Sequence, residues 1–92
     1  MTVFHKTIKW KSKREKILKR DEYMCRECKR YGKTTEATMV HHVIPLDQRI
    51  DLGLNSKNLI SLCKVCHGKM HDRVSDLLTI LGNAWVDRIY KK

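Results

Sequence analysis

The stretch "LCKVCHGKMH", Leu62–His71, puts two cysteines and two histidines within ten positions. Whether one metal takes all four side chains, or two metals share them, separates a small zinc fold from an enzyme. Cys63 and Cys66 form a C-x2-C pair, and 34 residues lie between them and an earlier pair, Cys25 and Cys28. A CxxC turn lets two thiolates reach one ion at about 2.3 Å, and two such turns close a tetrahedral shell of four sulfurs, which marks a structural zinc. The interval is longer than in the usual zinc ribbon, so an insert must loop out between the halves. Two incidental pairs of buried thiols is the weaker reading of a repeated C-x2-C.

With the cysteines assigned, His67 and His71 remain. From about Lys64 to Leu81 the pattern is helical, with Met70, Val74, Leu77, Leu78 and Leu81 at helical spacing. Two histidines four apart share one helix face. The insert supplies His41 and His42 in "ATMVHHVIPL", a β-branched, apolar stretch expected to be a strand that ends at Pro45. Adjacent strand residues point to opposite sides, so these two do not both bind one ion. One can ligate while the other acts nearby. Imidazoles from His41, His67 and His71 would leave open positions on a metal, as a catalytic site requires. His42 is then available as a general base, because imidazole titrates near neutral pH. Each residue also has a plainer role when taken alone. Paired helix histidines more often face solvent, a lone strand histidine is more often a satisfied core residue, and Asn58 before a strand is commonly a turn or cap.

Ninety-two residues are expected to make a single domain, and so short a chain benefits from a metal staple. Twenty Lys and Arg against ten Asp and Glu give a net charge of +10, which calls for a polyanionic partner. Lys6 to Arg20 carries eight basic residues and one acid, with only Ile8, Trp10, Ile17 and Leu18 strongly apolar. That stripe is too narrow for a helix lying on a membrane, so DNA or RNA is favoured over an anionic bilayer. No apolar run approaches the roughly 18 residues a membrane span needs. The stretch "MTVFHKTIKW" has no leader-like apolar centre, so a reducing cytoplasm is expected, where CxxC pairs hold metal rather than disulfides.

The remaining elements follow from local signals. "KSKREKILKRDEYMC" is expected to be a helix, with Ser12 as N-cap and Glu15 completing a capping box. Trp10, Ile17 and Leu18 would meet the core, and Lys13, Arg14, Lys16 and Arg20 would face solvent, either as a plain solvated face or as contacts to DNA phosphates. "CRECKRYGK" is expected to be a knuckle turn closed by Gly32, "DQRIDLGLNSKN" a loop and "LISLC" the second strand. Gly82-Asn83 would stop the long helix, and "AWVDRIYKK" would add a final turn or two docked by Trp85, Val86 and Ile89. Trp10 and Trp85 are read as core anchors, Tyr23 and Tyr31 as packing beside the knuckle, and His5 as an ordinary exposed residue.

"MVHHVIPL" followed by "SKNLISLCKVCHGKMH" resembles the HNH nuclease motif, and the lead-in "KSKREKILKRDEYMCRECKRYGK" is similar to that of phage-type HNH endonucleases found beside packaging genes. The resemblance covers about residues 10 to 71. It implies an α+β, ββα-metal (His-Me finger) fold with a basic N-terminal helix at about 11–22, a core at about 38–81 and an extension over 82–92. It also implies a DNA endonuclease in the host cytoplasm, leaving a 5′-phosphate and a 3′-hydroxyl. Matched position by position, His41 and His67 would be ligands of the catalytic divalent ion (Mg²⁺, Mn²⁺, Ni²⁺ or Zn²⁺), and His42 the general base. Asn58 would position the base. His71 matches the third ligand of colicin-type members, and Cys25, Cys28, Cys63 and Cys66 match a structural zinc site. Phage terminase or portal proteins are the implied partners, with monomer and homodimer both open. Two other classes compete: a non-catalytic zinc module that binds DNA, and a packaging-accessory subunit whose basic face docks an acidic protein. Neither gives His41, His42, Asn58 and His71 a task.

Overall fold

The structure, a computed structural model, describes residues 7–72, 74–75 and 77–90. His5, Arg73 and Asp76 lie outside the described residues. The first helix, α1, runs Ile8–Arg20. Its N-cap is Thr7, whose hydroxyl accepts from the Trp10 N–H at 3.1 Å, so the helix starts earlier than expected and Ser12 lies inside it. The earlier start brings Trp10 into the helix, in line with Ile17 and Leu18, and all three are buried. Left-handed backbone at Glu22 and Tyr23, φ 57° and 56°, turns the chain out of α1 and towards Cys25.

Cys25 caps a short helix, α2 (Arg26–Arg30), by accepting from the Cys28 N–H. The knuckle is thus a helical turn, and Gly32 at φ +76° ends it while the Lys33 N–H returns to the Cys28 carbonyl. Strand β1 (Met39–His42) pairs antiparallel with β2 (Leu59–Leu62), setting His41 opposite Ile60 and His42 opposite Leu59. The connection contains two 3-10 turns, Ile50–Leu52 and Ser56–Asn58, where only a loop was expected. All four residues of β2 are buried, because α1 covers one side of the hairpin and the cysteine cluster the other.

After β2 the structure departs from the expected long helix. Helix α3 covers only Lys64–Gly68. The Asp72 carboxylate then takes the N–H groups of Val74 and Ser75, competing with helix bonds. Val74 and Leu77 are 97% and 63% exposed, so their helical spacing packs nothing. The last helix, α4, spans Ile80–Tyr90. Gly82 lies within it rather than ending the previous helix. A Cβ there would sit 2.5 Å from the Met70 carbonyl oxygen, so glycine permits the close approach of α4 to the chain beyond α3. Trp85 is buried in the core, with Leu81, Val86 and Ile89 packed around it, as the docking expectation held.

Candidate active site

The four cysteines converge from α2 and the start of α3. Their sulfurs all lie within 4.8 Å of one another, and no disulfide joins them. Cys28 Sγ is 3.6 Å from Cys66 Sγ and 4.0 Å from Cys63 Sγ. A tetrahedron with arms of about 2.3 Å has edges of about 3.8 Å, so the cluster fits a single four-coordinate ion. The acid–base chemistry of the thiols points the same way. Burial pushes Cys25 and Cys66 up. It acts on Cys63 too, but the Cys66 N–H and the neighbouring thiols outweigh it and bring Cys63 down to about 7. Four sulfurs packed this closely need a cation before all can ionise.

The histidines form a second centre. His41, His42, His67 and His71 all line one open cavity of about 530 Å³, with Arg14 and Asp47 also on its wall. The His41 ring stands edge-on to His67 and to His71, each at 5.5 Å between centroids. His41 Nε2 is buried without a hydrogen-bond partner. Burial first, then the neighbouring imidazoles, lowers the His41 pKa to about 3, and burial lowers that of His67 as well. Neutral imidazoles with a lone pair to offer suit a divalent ion. His71 reaches this group by a different route from the one expected. It lies beyond the end of α3 and is carried by a bridge to Leu78.

His42 lines the same cavity but is held by different neighbours. Its ring stacks on Trp10, 4.9 Å between centroids and 22° between planes. Its Nε2 is 3.1 Å from the Gly53 carbonyl oxygen. A carbonyl only accepts, so in this contact Nε2 is the donor. Asn58 acts two residues further along the chain. Its Oδ1 accepts from the Ile44 N–H and its Nδ2 donates to the Ile44 carbonyl, while its own carbonyl accepts from the Val43 N–H. The Tyr90 hydroxyl adds a 2.8 Å bond to Asn58 Oδ1. Sequence reasoning missed Gly53, which contributes only backbone, and Tyr90, whose polar tip on an apolar helix was the sole signal.

The four candidate DNA contacts on α1 separate. Arg14 donates to the Thr38 carbonyl at the cavity wall. Lys13 and Lys16 lie on another stripe, beside Lys9 and Leu54. The Arg20 guanidinium is tied into the fold by the Asp21 carboxylate and the carbonyls of Ser56 and Leu59.

Comparison with known proteins adds the decisive finding. The HNH endonuclease family profile matches residues 25–73, more than half of the chain. The chain belongs to the HNH endonuclease family. This HNH enzyme also resembles, over its whole fold, the HNH endonuclease of the deep-sea thermophilic bacteriophage GVE2, solved with a manganese ion. The TM-score is 0.72 and the identity 29%, covering 97% of this chain and 84% of the phage protein. No curated protein sequence matches. The α+β HNH fold is therefore established, and the chain is a metal-dependent nuclease, a hydrolase. Among the described residues no helix is long and apolar enough to cross a membrane.

Proposed function

We propose that this HNH enzyme cuts DNA with His42 as general base, and that His41, His67 and His71 hold the exchangeable divalent ion. The observation that carries the reading is the buried, unpartnered His41 Nε2 on a ring flanked by His67 and His71, with His42 clamped beside it. A divalent ion held there by His41, His67 and His71 would offset the charge of the scissile phosphate and stabilise the departing 3′ oxygen. The chain's own part is positional and acid–base. Trp10 and Gly53 fix the orientation of the His42 ring, which takes the proton of the attacking water. Asn58 holds the backbone just after His42. Arg14 offers positive charge at the cavity wall.

The cysteine cluster is assigned a permanent zinc, because four thiolates select it over the oxygen-seeking ions. An imidazole-rich site favours Mn²⁺, Ni²⁺ or Zn²⁺ over Mg²⁺, and the manganese in the phage GVE2 enzyme supports Mn²⁺. The same likeness supports a phage-encoded enzyme, whereas packaging proteins as partners rest on the resemblance of the lead-in segment alone. One site per chain nicks one strand, and a double-strand break then takes two events or two subunits.

Plasmid nicking tests the reading. With Mn²⁺ the wild type is expected to convert supercoiled DNA to open circles. His42→Ala is expected to slow this by a factor on the order of 10² to 10⁴. If both are equally inert while DNA binding persists, the chain is a DNA-binding zinc module instead.

A further inference from the structure

A second open cleft, of about 630 Å³, lies at the far end of α1 and shares no lining residue with the histidine cavity. Arg20, Arg26, Lys29, Arg30 and Arg88 line it against only two carboxylates. Two of these cations are accounted for internally: Arg20 pairs with Asp21, and Arg30 with Glu27. Arg26 and Arg88 have a different setting. Both lie over the Trp85 ring, at 5.3 and 4.9 Å from its centroid. The ring is itself fixed, because the indole N–H donates to Glu27 Oε1 at 2.9 Å and only 1% of the residue is exposed. Arg88 Nη1 is buried without a hydrogen-bond partner. Burial lowers the Arg26 pKa, Asp21 opposes this, and Arg20 and Arg88 add repulsion.

Two like charges fixed over one aromatic plate, one with an orphaned donor, repel each other until an anion joins them. Guanidinium forks match phosphate oxygens in shape as well as charge. We propose that this cleft is a second phosphate-binding site, in which Arg26 and Arg88 grip the DNA backbone away from the cut. Arg20 stands six residues beyond Arg14 on α1, about 9 Å along the helix axis and about 120° around it, so a polyanion touching both sites would bend around the helix. The identity of the polyanion rests on the nuclease reading.

The test measures DNA affinity against salt, without divalent ion so that nothing is cut. Each lost phosphate contact reduces the slope of log K on log salt by about 0.9. Arg26→Gln/Arg88→Gln is expected to make the slope shallower by about two. Arg26→Lys/Arg88→Lys should keep the slope, and Lys33→Gln/Lys69→Gln, an equal charge loss elsewhere, should leave it as in the wild type. A guanidine-specific reagent gives an independent reading on the unaltered chain, where DNA should protect Arg26 and Arg88. A wild-type slope in the glutamine double variant, or equal modification with and without DNA, overturns the cleft alone. That would also be the outcome if the cleft received an acidic protein. A wild type with no salt-dependent DNA binding overturns the nuclease reading beneath it.

Discussion

His42 is held on its face by Trp10 and on its edge by the Gly53 carbonyl. Asn58 and Tyr90 extend that support one layer outward. Tyr90→Phe removes one hydrogen bond from Asn58, so stability should fall by about 1 kcal/mol in urea denaturation, and nicking should slow as the chain after His42 loosens. His41 gives a pH prediction with a definite sign. Its folded pKa of about 3 lies below its ordinary 6.5, so on acidification the unfolded chain takes up the proton first. Without added divalent ion, stability is complete above pH 6.5 and falls as pH drops through the window towards 3, by at most about 1.4 kcal/mol per pH unit for this residue. Thermal melts should show a shallower pH dependence for His41→Asn than for the wild type; equal slopes would mean that His41 titrates normally. The gathering of His41, His42, His67 and His71 in one place was legible in the sequence. Their supports were less so, because a backbone carbonyl and a tyrosine 32 positions from Asn58 leave no local pattern.

The elements differ in how far they followed their local signals. The hairpin was legible because both strands lie in β-branched and apolar stretches; β2 is buried throughout, and β1 at His41 and His42. The N-cap of α1 moved from Ser12 to Thr7 because tertiary burial of Trp10 outweighed a capping box. The helix expected through Leu81 failed because apolar spacing cannot reveal which face has a partner: Val74 and Leu77 have solvent, and Asp72 turns the chain. Gly82, read as a stop, is a contact point. Gly82→Ala should destabilise by about 1 to 3 kcal/mol, since its methyl would press on the Met70 carbonyl and the Leu78 side chain. A melt within error of the wild type would show that α4 can move aside without cost.

The whole molecule depends on two kinds of donor. The hydrophobic groups are small, and one of them contains Cys25, Cys63 and Cys66 themselves. Removing the ion that fits those sulfurs is therefore expected to unfold the chain, whereas removing the one at the histidines should only stop catalysis. Cys28→Ser should lose the cooperative thermal transition, and His67→Ala should keep it. The fold class was legible through the resemblance that "MVHHVIPL" and "SKNLISLCKVCHGKMH" carry to the HNH motif. The placement of the basic cleft was not, because Arg26 and Arg88 are brought to one place only by the Trp85 ring between their elements. Metal content per chain, taken after mild chelation and again after Mn²⁺ is restored, tests the two-ion account most directly. The account predicts one zinc that survives chelation and one manganese that returns, the latter absent from His41→Ala/His67→Ala. A single ion whose retention needs both the cysteines and His67 would contradict it.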